Sequence, residues 1–304
     1  MSQRPPPPPF VLPCCAPSIF GKAPLSEIES RVAEFLYKHC DTPNIELEAK
    51  LGRLISRSTN ERFGKSQPRI DSETVLFSDP KSHHPYMFLA AVPADIFERI
   101  NMELNKRWTI SRDNRQYKGG SIHCLSYVER DWIFGRGYDK IRATVDEHGT
   151  ILRCIRKSTL EHLNIMCKSC GLDWRVSAST EEDCAPPPLD TIEQERVKHR
   201  CSYSFEFWQF DLTRVEVFKD KRKIETVYQV EIEIKDLRTF IKRKQEIMTA
   251  NPEATTELAP PYDVSFSSFP VGNRIADLAK AFVNNVRMCV IKGGVSEEVD
   301  DFED

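Results

Sequence analysis

Two short segments, far apart in this chain, alternate carboxylates with aliphatic residues. Glu46 and Glu48 lie in the first segment, and Glu231 and Glu233 lie in the second. Alternate residues of an extended strand share a face, so each segment is predicted to place its carboxylates on one side. Neighbouring carboxylates repel each other and weaken a strand unless a cation lies between them. Ligation by oxygen alone is typical of Mg²⁺ or Mn²⁺, so a divalent metal site is one interpretation of this pattern. A solvated polar face is the other.

Basic residues follow the same alternation on segments between these two. The charged or polar side chains that share strand faces there include Lys140, Arg142, Arg175, Arg196, Lys198, Arg200, Asp211 and Thr213. On an open sheet such faces would be solvated. In a closed barrel they would line an interior too polar for a dry core, which is tolerable only if the charges are paired or hold a charged ligand. A ring of bases opposite a glutamate-bound metal fits a polyphosphate.

The composition of the chain sets broad limits on its class. With 304 residues, 40% of them hydrophobic, it is long enough for one large or two modest domains. The formal net charge of −3 provides no global basic field for nucleic acid, so anion binding must be local. No apolar stretch approaches about 18 residues, and the Pro-rich N-terminus does not resemble a signal peptide. The ten cysteines are too sparse for a disulfide scaffold and predict reduced thiols in a cytosolic or nuclear protein.

Other chemistries have weaker support in the sequence. Cys167 and Cys170 have zinc-ligand spacing, but the second pair that a structural zinc needs is irregularly placed. The spacing from Cys124 to Arg130 matches cysteine phosphatases, yet the residues between them are bulky and glycine-free, unlike a loop that cradles phosphate. The sequence has no GxxxxGK[ST] motif, which excludes a P-loop NTPase. Buried free cysteines and an ordinary strand are the favoured interpretations of the first two patterns.

The periodicity predicts an α+β fold in which helices flank an antiparallel barrel. Helices are predicted over 25–40, 93–106, 237–248 and 272–291, and the first glutamate-bearing strand over 45–51. The other predicted strands follow one another closely, over 109–117, 121–130, 138–145, 150–157, 172–180, 196–208, 209–219 and 224–235. Three parts are expected along the chain: a Pro-rich disordered tail over 1–24, one catalytic domain over 25–293 and an acidic tail over 294–304.

An ordered set of short motifs resembles one known family. The motifs are IELEAKLG over 45–52, DKIR over 139–142, DWRVS over 173–177, RVKHRCSY over 196–203, DLT over 211–213 and VEIE over 230–233. Each motif alone is weak, but their order across residues 26–292 is fairly specific. The chain resembles the triphosphate tunnel metalloenzymes, and most closely the fungal type of metal-dependent mRNA-capping RNA 5′-triphosphatase.

The resemblance implies an eight-stranded antiparallel β-barrel, the triphosphate tunnel, with a charged interior packed on flanking helices. It implies cleavage of the γ-phosphate from the 5′-triphosphate end of nascent mRNA, with Mg²⁺ or Mn²⁺ as the cofactor. It also implies a nuclear homodimer that works with an mRNA guanylyltransferase and the RNA polymerase II C-terminal tail, with no membrane partner.

The resemblance also assigns roles to residues by position. Glu46, Glu48 and Glu233 would ligate the metal, Glu231 would bind metal or position water, and Glu181 would support the nucleophilic water. The residues expected around the γ-phosphate are Arg142, Lys198 and Arg200, with Lys50, Lys140, Arg175 and Arg196 as further phosphate-binding candidates. The residues expected to orient these side chains are Asp211, Thr213 and Gln229.

The sequence departs from the family pattern at two positions. Gln229 stands where a third alternating glutamate is often found, and Leu51 stands where an aromatic residue is common. An amide can hydrogen-bond water but provides less charge than a carboxylate. Two alternatives stay open at this point: hydrolysis of free nucleoside triphosphate or tripolyphosphate, and a tunnel that binds polyphosphate without cleaving it.

Overall fold

The computed structural model describes residues 26–64, 73–76, 84–113, 120–135, 140–167, 171–235 and 273–294, with a few helical positions between 237 and 245. The predictions for the tail over 1–24, for the acidic tail and for most of the helix over 237–248 lie outside the described residues.

The helices and strands alternate irregularly along the chain. The helices are α1 (Glu27–His39), α2 (Ala94–Asp113) and α3 (Asn273–Gly294). The strands are β1 (Ile45–Ser56), β2 (Thr74–Leu76), β3 (Tyr86–Leu89), β4 (Ile122–Phe134), β5 (Ile141–Val145), β6 (Ile151–Met166), β7 (Asp173–Asp183), β8 (Ile192–Phe205), β9 (Trp208–Lys219) and β10 (Arg222–Ile234). No described helix has both the length and the apolar character needed to cross a membrane.

Eight of the strands close into an antiparallel barrel, which confirms the predicted fold. The order around the wall is β10-β9-β8-β4-β5-β6-β7-β1, and β1 pairs with β10 to complete the ring. The closing seam is short, since its register pairs are Glu48 with Glu233, Ala49 with Ile232 and Lys50 with Glu231. Short strands β2 and β3 add to the outer ends of β6 and β1.

The main hydrophobic core lies outside the barrel, between its wall and the helices. Alternate residues of β1, β7, β9 and β10 face outward and pack with α1, α2 and α3 in this core; they include Leu47, Ala49, Leu51, Trp174, Val176, Trp208, Phe210, Val230 and Ile232. The predicted cover of the barrel by helices is therefore confirmed. Ser26 begins α1 through a capping box with Glu29, and Glu29 also accepts a hydrogen bond from Arg287 of α3 at 3.0 Å.

A second apolar cluster lies at the C-terminal part of β1, where this strand pairs with β3. Leu54, Tyr86 and Met166 form its buried centre, and Phe88 packs against them. The two strands approach closely at Gly52, where an added Cβ would meet the Leu89 carbonyl and lie 2.9 Å from Cζ of Phe88. Only glycine leaves room for this approach.

The structure corrects several sequence-based boundaries. The strand predicted over 109–117 is wrong over 109–113, because α2 continues to Asp113 and Arg112 lies 4.8 Å over the Trp108 ring within that helix; residues 114–117 lie outside the described part of the chain. Strands β2 and β3 were not predicted. β6 extends nine residues beyond the predicted end, to Met166, and its pairing with β7 shifts register between Thr159 and Glu161. This shift changes which residues of β6 face the interior.

Candidate active site

The four glutamates of the sequence pattern meet at the seam that closes the barrel. Glu48 lies directly opposite Glu233, and Lys50 lies opposite Glu231. The Lys50 ammonium donates to Glu231 at 2.5 Å and lies 3.1 Å from Glu48. These side chains occupy the face of β1 opposite the helix-covered face, so the predicted carboxylate set points into the barrel.

A lysine from a third strand bridges the two carboxylates of β1. Lys157 of β6 donates to Glu46 and lies 3.1 Å from Glu48. Burial lowers the pKa of Lys157, but Glu48 and Glu46 outweigh that effect and Lys157 stays protonated. Its ammonium therefore supplies a positive charge between Glu46 and Glu48.

The two carboxylates of β10 have opposite electrostatic environments. Burial raises the pKa of Glu233 to about 7, with the charges of Glu46 and Asp211 adding to it, although Lys235 donates to Glu233 at 2.8 Å. The pKa of Glu231 is instead lowered to about 2, because Lys50 overcomes the cost of burial. Glu233 thus has excess negative charge around it that the neighbouring bases do not balance.

This donor set fits a hard divalent cation. Glu46, Glu48 and Glu233 would supply oxygen ligands from neighbouring strand positions, and burial together with the charges of Glu46 and Asp211 raises the pKa of Glu233. Among the described residues, no three acidic, histidine or cysteine side chains converge as a ligand set in the present arrangement. Lys157 explains this, because its ammonium lies between two of the three carboxylates.

A cluster of bases lines the interior beside this seam. The charge of Arg142 on β5 contributes to the lowered pKa of both Lys198 and Arg196 on β8. Burial is the main cause of the lowered pKa of both Lys198 and Arg196. Like charges held together in a buried place form a binding site for a polyanion.

Most of these bases are fixed by polar neighbours. Arg200 donates to Thr213 at 3.1 Å and to Asp211 at 3.3 Å, which agrees with the orienting role expected of these two residues. Asp211 also accepts from Ser202 at 2.5 Å. Lys198 pairs with Asp131, a fully buried carboxylate that accepts a 2.8 Å hydrogen bond from Thr144.

Three other candidates occupy the edges of this arrangement. Glu181 lies in the interior and accepts from Arg142 at 3.0 Å, with Arg153 3.6 Å away. Lys140 is exposed and precedes β5, so it is not brought into the cluster. Gln229 lies opposite Thr213, one position along the interior face from Glu231.

The remaining candidate, Arg175, lies on β7 directly opposite Lys50. It contacts neither the glutamate seam nor the cluster of bases in any described hydrogen bond or ion pair.

Sequence reasoning missed two residues that contact the site. Strand alternation alone does not connect Lys157 with Glu46, because only the closed barrel brings β6 to β1 at this position. Asp131 was missed because β4 was expected to end at 130, whereas it continues to Phe134. A longer strand assignment would have placed Asp131 on the interior face.

The cysteines do not support the competing chemistries. Burial and the nearby Cys201 thiol, 3.6 Å away, raise the pKa of Cys124 to about 11, so Cys124 is not a ready nucleophile. Cys167 is buried, and the proposed zinc partner Cys170 lies outside the described residues.

Known proteins with similar sequences are capping-enzyme subunits. The family model for "mRNA capping enzyme, beta chain" matches residues 22–259. A subunit beta of Yarrowia lipolytica is 27% identical over 213 residues, which cover 66% of this chain and 52% of that protein. One from Cryptococcus neoformans is 26% identical over 240 residues, covering 74% and 57%. The chain spans about half the length of these curated relatives.

Solved structures show the same fold. The Pct1 RNA triphosphatase of S. pombe superposes with a TM-score of 0.75 at 20% sequence identity, covering 94% of this chain and 100% of that one. Its complex with the Spt5 CTD has a TM-score of 0.72 at 21% identity, with the same coverage. Since the family model matches well over half of the residues, the chain belongs to the mRNA capping enzyme beta chain family.

Proposed function

We propose that this barrel hydrolyses the β–γ phosphoanhydride at the 5′-triphosphate end of RNA, the first step of cap formation. The observation that carries the proposal is the arrangement of the interior, in which the glutamate seam lies beside a buried cluster of bases. Arg200 links the two zones, since it contacts Asp211 and also lowers the pKa of Glu231. Family membership and the names of the relatives support the same reaction.

The bases would hold the triphosphate and stabilise the charge that moves during the reaction. Water attacks the γ-phosphorus, the bond from that phosphorus to the β–γ bridging oxygen breaks, and the RNA leaves with a diphosphate end. Arg142, Lys198 and Arg200 are placed to neutralise the phosphoryl oxygens. Glu181 keeps Arg142 in position through their 3.0 Å hydrogen bond and is the candidate for orienting the attacking water.

Glu46, Glu48 and Glu233 would hold Mg²⁺ or Mn²⁺, with Glu231 close by. The metal would polarise the scissile phosphoryl group and offset the negative charge of the substrate. For this, Lys157 must release Glu46 and Glu48, and its ammonium then becomes available to the phosphate chain.

The cellular setting follows from the proposed reaction. We expect a nuclear protein that acts on nascent transcripts and hands its diphosphate product to an mRNA guanylyltransferase. The complex of Pct1 with the Spt5 CTD supports the Spt5 CTD as a candidate partner, and the RNA polymerase II C-terminal tail is a second candidate. A homodimer is also proposed, on the family resemblance.

A phosphate-release assay on three substrates tests the function. Triphosphate-ended RNA, ATP and inorganic tripolyphosphate are compared with Mg²⁺, with Mn²⁺ and with a chelator. We expect metal-dependent release that is most efficient on RNA, and a loss of about 10²–10³-fold for Glu46→Gln. Cys124→Ser serves as the matched control and is expected to keep full activity, since Cys124 lies on the outer side of β4 near Cys201.

The other outcomes are equally informative. Efficient release from ATP and tripolyphosphate but not from RNA would assign the tunnel to free polyphosphates. Binding of all three without turnover in either metal would make it a non-catalytic tunnel. Full activity of Glu46→Gln would contradict the assignment of Glu46 as a metal ligand.

A further inference from the structure

Two cysteines lie opposite each other where the pairing of β6 with β7 ends. The register of these strands pairs Ile155 with Asp183. The next position along it pairs Cys154 of β6 with Cys184, the residue after β7. The Cys184 amide donates to the Cys154 carbonyl at 3.0 Å, so the two residues form a hydrogen-bonded antiparallel pair. The Cα atoms of such a pair lie about 5.5 Å apart, a distance that a disulfide spans. The two sulfur atoms are 3.8 Å apart.

Another pair of close thiols is placed differently on its strands. The sulfur atoms of Cys124 and Cys201 are 3.6 Å apart. However, Cys124 lies opposite Tyr203, and Cys201 lies opposite Ser126, so the two cysteines are diagonal neighbours. Diagonal Cα atoms are about 7–8 Å apart, where a disulfide requires movement of the backbone. The position on the strands, rather than the distance between the sulfur atoms, therefore favours Cys154 and Cys184.

The two thiols of the directly opposed pair differ in their surroundings. Cys154 is 7% exposed and lies in an apolar cluster with Phe134 and Ala143, whereas Cys184 packs at the edge of this cluster and is only partly buried. Burial and the neighbouring Cys184 thiol raise the pKa of Cys154 to about 11. Because the thiolate is the nucleophile, Cys184 is the thiol that an oxidant in solution meets first.

The end of β7 has little else to hold it in place. The two residues before Cys184 are exposed, and prolines occupy 186–188. Proline has no N–H group, so the hydrogen-bond ladder cannot continue through these residues. A strand end with few buried contacts opens more easily than the rest of a sheet. Such opening would reach Glu181, which accepts the hydrogen bond of Arg142 on the interior face.

We propose that Cys154 and Cys184 form a modification site, a dithiol that a small disulfide such as oxidised glutathione converts into a reversible cross-link. The Cys184 thiolate attacks one sulfur of oxidised glutathione, which releases one glutathione and leaves a mixed disulfide on Cys184. The Cys154 thiolate then attacks the Cys184 sulfur and releases the second glutathione. The protein thiols lose two electrons and two protons, and the oxidant leaves as two reduced glutathiones. The cross-link holds the end of β7 against β6, and it does not depend on the proposed function.

Oxidation of the full chain in glutathione buffers tests the site. Free thiols are alkylated, and the protein is digested with trypsin without reductant. Mass spectrometry should then find the peptide over 154–156 linked to the peptide over 176–196, each of which contains one cysteine. The melting temperature should rise by about 5–10 °C, because the cross-link closes a loop of about 30 residues in the unfolded chain. Hydrogen exchange of the amides over 181–184 should slow on oxidation.

Serine variants identify the thiols responsible. Cys184→Ser and Cys154→Ser should each lose the linked peptide and the oxidation-dependent rise in melting temperature. Each oxidised variant is compared with its own reduced form, so a change in its basal stability does not enter the comparison. Cys201→Ser is the matched control, because it removes a thiol from the diagonal pair, and it should keep both effects of oxidation.

Several results would overturn the proposal. One is recovery of Cys184 from the oxidised wild type as a free thiol, or only as the mixed disulfide with glutathione. Another is a link that forms only after denaturation, or that leaves the melting temperature unchanged. A third is a bond between Cys124 and Cys201 that forms at a lower concentration of oxidised glutathione than the bond between Cys154 and Cys184, since the directly opposed position would then give no advantage.

Discussion

Lys157 occupies the position where a cation is most needed in the barrel. It bridges Glu46 and Glu48, and without it these carboxylates would face each other on adjacent interior positions of β1. A lysine side chain is flexible and can move, whereas the strand that carries the glutamates cannot. We infer that Lys157 stabilises the metal-free protein and yields its position when a divalent cation binds.

Replacing Lys157 distinguishes the metal-free protein from the protein with a bound divalent cation. Lys157→Met should lower the free energy of unfolding of the metal-free protein by about 1–3 kcal/mol, since it leaves Glu46 without its counter-charge and the buried Glu48 with Lys50 alone. The loss should shrink when Mn²⁺ is present, because the metal supplies the missing charge. Denaturant unfolding with Mn²⁺ and with a chelator measures both.

Lys223→Met is the control for this variant. Lys223 pairs with Glu216 on the outer face with its side chain about half exposed, so its loss should cost below about 0.5 kcal/mol in either condition. If Lys157→Met lost the same free energy of unfolding with and without metal, the result would contradict the replacement of the Lys157 ammonium by a divalent cation.

For single residues, the sequence predicts well which face of a strand a side chain occupies, but it predicts poorly which other residues that side chain contacts. Strand parity correctly placed Glu46, Glu48, Glu231 and Glu233 on interior faces, because alternation is a local property of each strand. It could not show that Lys157 reaches Glu46, since that contact depends on how β6 lies across the barrel. Strand alternation also could not predict the faces of the β6 side chains after residue 160, because the register shift in β6 reverses which face they occupy.

Among the elements, the short strand β3 packs against the barrel wall at Arg175. Phe88 of β3 stacks on Arg175, and β3 can lie that close to β1 because Gly52 has no side chain. Neither β2 nor β3 could be predicted from the sequence. Their three or four residues make no recognisable pattern, and their pairing partners lie far away in the chain.

Gly52→Ala should therefore separate β3 from β1. The new methyl group would collide with the backbone carbonyl of Leu89, which cannot rotate away, so we expect a loss of about 1–3 kcal/mol or more. Chemical denaturation of both proteins measures this loss.

Gly293→Ala provides the contrast in α3. Its new methyl group would meet the Ile96 side chain at 2.7 Å, and a side chain can shift. Alanine also favours a helix over glycine by about 1 kcal/mol, so the net change should be small. A loss in Gly293→Ala as large as that in Gly52→Ala would show that backbone collision is not the cause.

The whole molecule places its hydrophobic core outside and its charges inside the barrel. Alternating strands with apolar outer faces predicted this inversion, together with the helices that cover it. The order of strands could not be predicted from the pattern, because β8 pairs with β4 and β1 with β10 across long stretches of chain. These pairings decide which charges meet, and so the seam became visible only in the fold.

One consequence of the seam is that metal and pH should act together on global stability. The pKa of Glu233 is raised to about 7 in the folded protein from an ordinary 4.5. The folded state therefore holds this proton more tightly than the unfolded state. The stabilisation is complete below about pH 4.5 and is lost as the pH rises through 7. Without metal, the free energy of unfolding should fall by about 1–3 kcal/mol between pH 5 and about pH 8 from this group.

With Mn²⁺ the dependence should reverse. A metal ligand must be deprotonated, so the rise in melting temperature caused by Mn²⁺ should be larger at about pH 8 than at about pH 6. Glu233→Gln cannot lose a proton, so it should remove both slopes and give a weak metal response at every pH. Thr226→Ala is the control and should keep the wild-type profile, because Thr226 lies opposite Glu216 on the face of β10 that points away from Glu233. A metal-induced shift in the wild type that does not change across this range would show that Glu233 does not bind the cation.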